Sequence, residues 1–154
     1  MRAARRRKGV EKGGKSGIII NTDAKGVQDV YYVGKINKDI YKCVTENIVT
    51  DEVIITDERI QHIKDRHPND FEKFVNYISN AIEQPDYIVE ANKPNTAVVL
   101  KIIEDVDKRI KLIVKIKSPS EPKDYKNSVI SLWEIGDTTW RKMIKNKIIL
   151  YKKE

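Results

Sequence analysis

Cysteine is almost missing from this chain. Cys43 is the only one in 154 residues, which excludes an internal disulfide and points toward a reducing compartment. No cysteine cluster is available for a structural zinc. No apolar run approaches the ~18 residues that a membrane span requires. No apolar signal core follows the basic N-terminus, so no secretory signal is expected. Histidine is also scarce, and both copies fall within Arg59-Ile60-Gln61-His62-Ile63-Lys64-Asp65-Arg66-His67-Pro68. Charge is plentiful, at 34% of residues against 40% hydrophobic. A body of about 120–130 residues is still long enough to bury a core.

The net charge of +7 is unevenly placed. Near the start, Arg2, Arg5, Arg6, Arg7, Lys8, Lys12 and Lys15 oppose Glu11 alone; at the end, Arg141, Lys142, Lys145, Lys147, Lys152 and Lys153 oppose Glu154 alone. The stretch between is mildly acidic. Basic ends favour a polyanion such as nucleic acid, without locating a site in the middle.

Residues 1–26 carry a basic run and Gly13-Gly14-Lys15-Ser16-Gly17, and read as a disordered linker or junction before a domain over 27–154. Val30–Val33 and Ile40–Val44, with turn residues between, predict a hairpin. Val53–Ile55 predicts a short strand, and Thr56 or Asp57 caps a helix to about Arg66. Pro68 pushes His67 out of helical geometry. Asn69 or Asp70 starts a second helix to about Glu83, with Phe71, Phe74, Val75, Ile78 and Ile82 as its apolar stripe. Strands follow at Tyr87–Val89, Thr96–Ile103 and Arg109–Lys117, the last two as an antiparallel hairpin. A Pro-bearing loop over 118–126 leads to a strand over Ser128–Ile135. A short helix over Trp140–Asn146 and an edge strand over Ile148–Tyr151 complete the pattern. The fold class is α+β, with a helical N-terminal part against an antiparallel sheet.

Histidine alone has an unperturbed pKa near neutrality, so a pair can supply both a proton acceptor and a proton donor. A gap of five sets two helical side chains roughly 140° apart, unlike the gap of four typical of helical zinc pairs. No metal site is therefore expected. His62 lies between Arg59 and Arg66 on one helical stripe, a setting suited to an anionic substrate. A histidine that merely packs or is solvated remains the plainer alternative. Lys101 and Lys115 each interrupt a β-apolar run, either as phosphate-binding cations on an open face or as protection of a sheet edge. Ser128 and Ser131 have opposite parity and cannot share one face of a regular strand. Ser131 shares its face with Trp133, which can stack a base or simply fill a core.

Taken in order, these residues resemble a known family. Tyr32-Val33-Gly34-Lys35-Ile36, Val53 to Ile63, Arg66-His67-Pro68, Gln84-Pro85-Asp86-Tyr87-Ile88, Val114-Lys115 and Asn127-Ser128-Val129-Ile130-Ser131 are similar to the phage-associated nuclease domains of the barnase–EndoU–colicin–RelE superfamily. Such domains occur at the ends of phage head-morphogenesis proteins and polymorphic toxins. The resemblance implies a curved, four-stranded antiparallel sheet and RNA cleavage. It maps the family's histidine motif to His62 and His67, its strand lysine to Lys115 and its late hydroxyl motif to Ser128 and Ser131, where Ser131 stands at a position often held by threonine.

The expected activity is that of a metal-independent, toxin-like endoribonuclease that uses no cofactor. His62 and His67 would be base and acid in either order. Lys115 and a serine would hold the phosphate, Arg59, Arg66 and Lys101 would bind RNA, and Trp133 would stack a base. Expected partners are RNA, with tRNA one candidate, and a cognate immunity protein; no membrane is involved. The domain would be a module of a larger phage or toxin protein, acting in the cytoplasm of the producing or target cell, with virion association or delivery as further settings. A non-catalytic nucleic-acid-binding module and a structural phage domain remain alternatives.

Overall fold

The computed structural model describes residues 29–154; the expected linker over 1–26 lies outside the described residues. Seven strands form one sheet: β1 (Val30–Lys35), β2 (Glu52–Thr56), β3 (Tyr87–Val89), β4 (Thr96–Ile103), β5 (Lys108–Lys115), β6 (Asn127–Ile135) and β7 (Ile149–Lys152). Their order is β1-β2-β6-β5-β4-β3-β7. Every pairing is antiparallel except the short parallel contact of β2 with β6. The α+β class is as expected, and the sheet is wider than the four strands that the resemblance implied.

Alternation in β5 sorts the two faces. Ile110, Leu112 and Val114 point to one side, where they join Val53, Ile55, Ala97, Val99, Val129 and Leu132 in the main core. Full burial of each such side chain contributes about 1.5–3 kcal/mol. Helices α1 (Lys38–Tyr41), α2 (Asp57–Arg66), α3 (Asp70–Phe74) and α4 (Ile78–Glu83) supply Tyr41, Ile63, Phe74, Ile78, Ala81 and Ile82 to this core. The opposite face is only partly covered. There α5 (Asp137–Asn146) lays Trp140 and Met143 over Val89, Val98, Leu100 and Ile135.

Two local expectations fail for identifiable reasons. Ile40–Val44 does not pair with β1; β1 pairs with β2 instead. Asn37 accepts a hydrogen bond from the Asp39 amide and starts the helical turn α1, and the buried Tyr41 hydroxyl donates to the Ile82 carbonyl at 2.7 Å. These interactions outweigh the β propensity of the segment. The second helix is broken into α3, a 3-10 turn (Val75–Tyr77) and α4. Gly34 adopts φ +151 where β1 meets α4, and a Cβ there would stand 3.0 Å from Ser79 Oγ and 3.2 Å from Ser79 Cα. Glycine alone accepts both the conformation and the approach.

Candidate active site

Helix α2 follows β2 without a loop because Thr56 ends the strand in extended geometry and its hydroxyl accepts from the Arg59 amide at 3.2 Å. With Ile63 fixed in the core, a rotation of 100° per residue sets Ile60 on one flank of the helix and Arg59, His62 and Arg66 on the other. Ile60 packs against the core, Arg59 and His62 are half-buried, and Arg66 is exposed. The imidazole of His62 makes no hydrogen bond or ion pair among the described residues.

His67 ends α2. Its amide still donates to the Ile63 carbonyl at 2.8 Å, while its own backbone has left helical geometry. Asn69 follows in the left-handed region at φ 77, and the Asp70 carboxylate accepts from the Glu134 amide of β6 at 2.9 Å. That bond pins the turn to the strand. The His67 ring then stacks on Trp133, with centroids 4.7 Å apart and planes at 7°. The ammonium of Lys111, on β5, lies 4.8 Å from the same indole centroid. His67 and Lys111 both lie against the Trp133 ring, so a base stacking there would have to displace one of them.

The serines differ from expectation in an informative way. Strand β6 carries a bulge: Ile113 faces Ser131, Val114 faces Val129, and Ile130 is the extra residue. The insertion reverses the parity between Ser128 and Ser131. Both serines therefore lie on the partly covered face, Ser128 opposite Lys115 and Ser131 opposite Ile113. Trp133 and Lys111 continue the same face. Neither serine hydroxyl is committed to another group among the described residues.

Lys115 is not free. Its ammonium meets the Glu121 carboxylate at 2.6 Å. The other Glu121 oxygen accepts from the Ser118 amide at 2.8 Å, which folds the loop over 118–126 back onto the strand. The Lys115 hydrogen bond, then the Ser118 amide, hold the Glu121 carboxyl below the usual carboxylate range. Lys101 belongs elsewhere. It pairs with Ile110 on the helix-covered face, is 7% exposed, and donates at 2.6 Å to the Gln84 carbonyl at the end of α4. Its expected RNA contact is therefore corrected to a helix C-terminal cap.

Three residues with no role in the sequence reading belong to this region. Lys111 has the same alternation as Lys115, a signal that was present. Burial lowers the pKa of its ammonium, and the nearby charge of Lys147 lowers it further. Glu121 lies in a loop with no pattern to distinguish it. Asn127 is fully buried, accepts from the Lys117 amide and donates to the Thr50 carbonyl, both at 2.8 Å. It ties the end of β5 to the approach of β2 and so fixes the strand that carries the serines. Among the described residues, no three histidine, cysteine, aspartate or glutamate side chains are grouped to hold a metal ion. No helix there is long and apolar enough to cross a membrane.

An α+β domain that presents an imidazole, ammonium groups and uncommitted hydroxyls on one half-open sheet face has the groups needed to act on a phosphodiester. The chain belongs to the phage-Barnase-EndoU-ColicinE5/D-RelE like nuclease 2 family, whose model matches residues 30–152. It is a nuclease-family domain, an enzyme class that cleaves nucleic acid. No curated protein and no solved structure matches the chain.

Proposed function

We propose that the domain is an endoribonuclease that makes the ribose 2′-hydroxyl attack its own neighbouring phosphodiester, without a metal ion. One histidine of the pair His62 and His67 removes the 2′-hydroxyl proton. The 2′-oxygen bonds to phosphorus, the bond from phosphorus to the 5′-oxygen breaks, and the other histidine protonates that leaving oxygen. The products are a 2′,3′-cyclic phosphate and a 5′-hydroxyl. Each proton transfer is worth roughly 10²–10⁴-fold. Lys115, released from Glu121, and the hydroxyls of Ser128 and Ser131 donate to the phosphate oxygens as charge builds. Arg59 and Arg66 bind flanking phosphates.

The observation that carries this reading is the bulge in β6, which sets Ser128 and Ser131 on the face of Lys115 and of Trp133, the residue that holds His67. The substrate is RNA, tRNA included. As a toxin-like module of a larger phage or toxin protein, the domain acts in the cytoplasm of the producing or target cell. A cognate neutralising protein would offer an acidic surface to the cations of the site.

The test is incubation of the purified protein with total RNA, and separately with single-stranded DNA, in EDTA. RNA should be cut and DNA left intact, and His62→Ala or His67→Ala should stop cleavage without unfolding the domain. Full activity in both variants would exclude the proposal.

A further inference from the structure

We propose that Lys111, with Lys147 beside it, grips a second backbone phosphate of the bound RNA, apart from the phosphate under attack. This inference rests on the ribonuclease reading and adds to it a phosphate subsite.

The two strand lysines of this face are in different states. Lys115 already faces a carboxylate at 2.6 Å. Lys111 has no carboxylate partner among the described residues; its ammonium lies over the indole of Trp133. It is half-buried on the sheet face that α5 covers, and the like charge of Lys147, where α5 ends, acts on it. A half-buried ammonium with a like charge acting on it and no acid to pair with is disfavoured in the free protein, and a bound anion removes that penalty. The Trp133 indole holds the Lys111 ammonium at the sheet, which limits its search for other partners.

Position argues for a separate subsite. Lys111 and Lys115 are four residues apart on one strand, about 13 Å, and their ammonium groups are held on different partners, one over the Trp133 indole and the other on the Glu121 carboxylate. Ser128 is level with Lys115 and Ser131 with Ile113, midway between the two lysines, while Lys111 is level with Trp133. RNA lying along this face would meet the serines with one phosphate and Lys111 with another. The ring of His67, stacked on Trp133, stays clear for proton transfer.

The experiment measures binding and cleavage separately. Binding uses a fully 2′-O-methylated oligoribonucleotide, which cannot supply the attacking hydroxyl, titrated over a range of salt. Lys111→Gln and Lys147→Gln should each weaken binding about fivefold to tenfold at low salt, and each should reduce the slope of log affinity against log salt by about 0.7. Lys111→Arg should retain both. The single-turnover cleavage rate at saturating RNA should fall by a smaller factor than the affinity in Lys111→Gln, since a contact shared by ground and transition states acts mainly on binding.

Unchanged affinity and slope in both glutamine variants, with thermal melts matching the parent, would overturn the subsite. A collapse of the saturated rate with intact affinity would overturn it too, by moving Lys111 onto the reacting phosphate. Failure of the ribonuclease reading is distinguishable, because the parent protein would then leave RNA uncut whatever its affinity for the methylated probe.

Discussion

The imidazole of His67 lies almost parallel to the indole of Trp133, 7° between planes and 4.7 Å between centroids. A free histidine at the end of a helix would sample several rotamers. The stack, worth about 0.5–1.5 kcal/mol beyond area burial, selects one orientation, and the Asp70 bond to the Glu134 amide holds the turn that delivers it.

Trp133 is accordingly a positioning residue, and its replacement should separate rate from binding. Trp133→Leu should lower kcat by about tenfold, the rate equivalent of roughly 1.4 kcal/mol, with a smaller rise in KM from the loosened Lys111. Trp133→Phe should restore most of the loss. In a Trp140→Phe background, the remaining indole fluorescence should report the stack, and His67→Gln should change it.

Glu121→Gln should free Lys115 and strengthen RNA binding at neutral pH. The sign of the pH effect follows from the lowered pKa of Glu121. Its contribution to holding the 118–126 loop is fully present above the usual carboxylate range and fades as pH falls through the lowered value. The protection factor of the Ser118 amide, its exchange rate corrected for the intrinsic pH dependence, should therefore fall on acidification in the parent protein. In Glu121→Gln that protection should be low and nearly independent of pH across the same window.

Asn127→Leu should destabilise the domain by about 2–4 kcal/mol, measured by urea unfolding. The change strands the buried Lys117 amide and the Thr50 carbonyl, and each lost partner costs about 1–3 kcal/mol. The effect on cleavage at temperatures where the variant stays folded should be a loss of rate through the misplaced serines.

Lys101→Met should leave RNA affinity within about twofold of the parent, because its ammonium caps Gln84 on the far face of the sheet. A stability loss of about 1–2 kcal/mol should accompany the exposed end of α4. A salt slope reduced in this variant would restore Lys101 to the RNA-binding surface.

Much of the scaffold was legible because it follows local rules. The pairing of β4 with β5 showed in two β-apolar runs around a polar turn, and α2 in the Thr56 cap and the stop at Pro68. The site was legible less evenly. His67, Lys115, Ser128 and Ser131 could be named, but strict alternation divided the serines, since nothing in Val129-Ile130-Ser131 announces a bulge. The fate of each lysine was hidden because it depends on distant partners: Gln84 for Lys101, Glu121 for Lys115, Trp133 and Lys147 for Lys111. The stack of His67 on Trp133 was hidden for the same reason, as it joins a helix end to a strand far along the chain.

The most direct test of 2′-hydroxyl attack is mass-spectrometric end-group analysis of fragments cut in EDTA, using one RNA oligonucleotide and its twin carrying a single 2′-deoxy sugar at the cleavage site. The expected result is a 2′,3′-cyclic phosphate and a 5′-hydroxyl from the first, and no cut at that position in the second. Fragments bearing 5′-phosphate and 3′-hydroxyl ends, or equal cleavage of the deoxy twin, would contradict it.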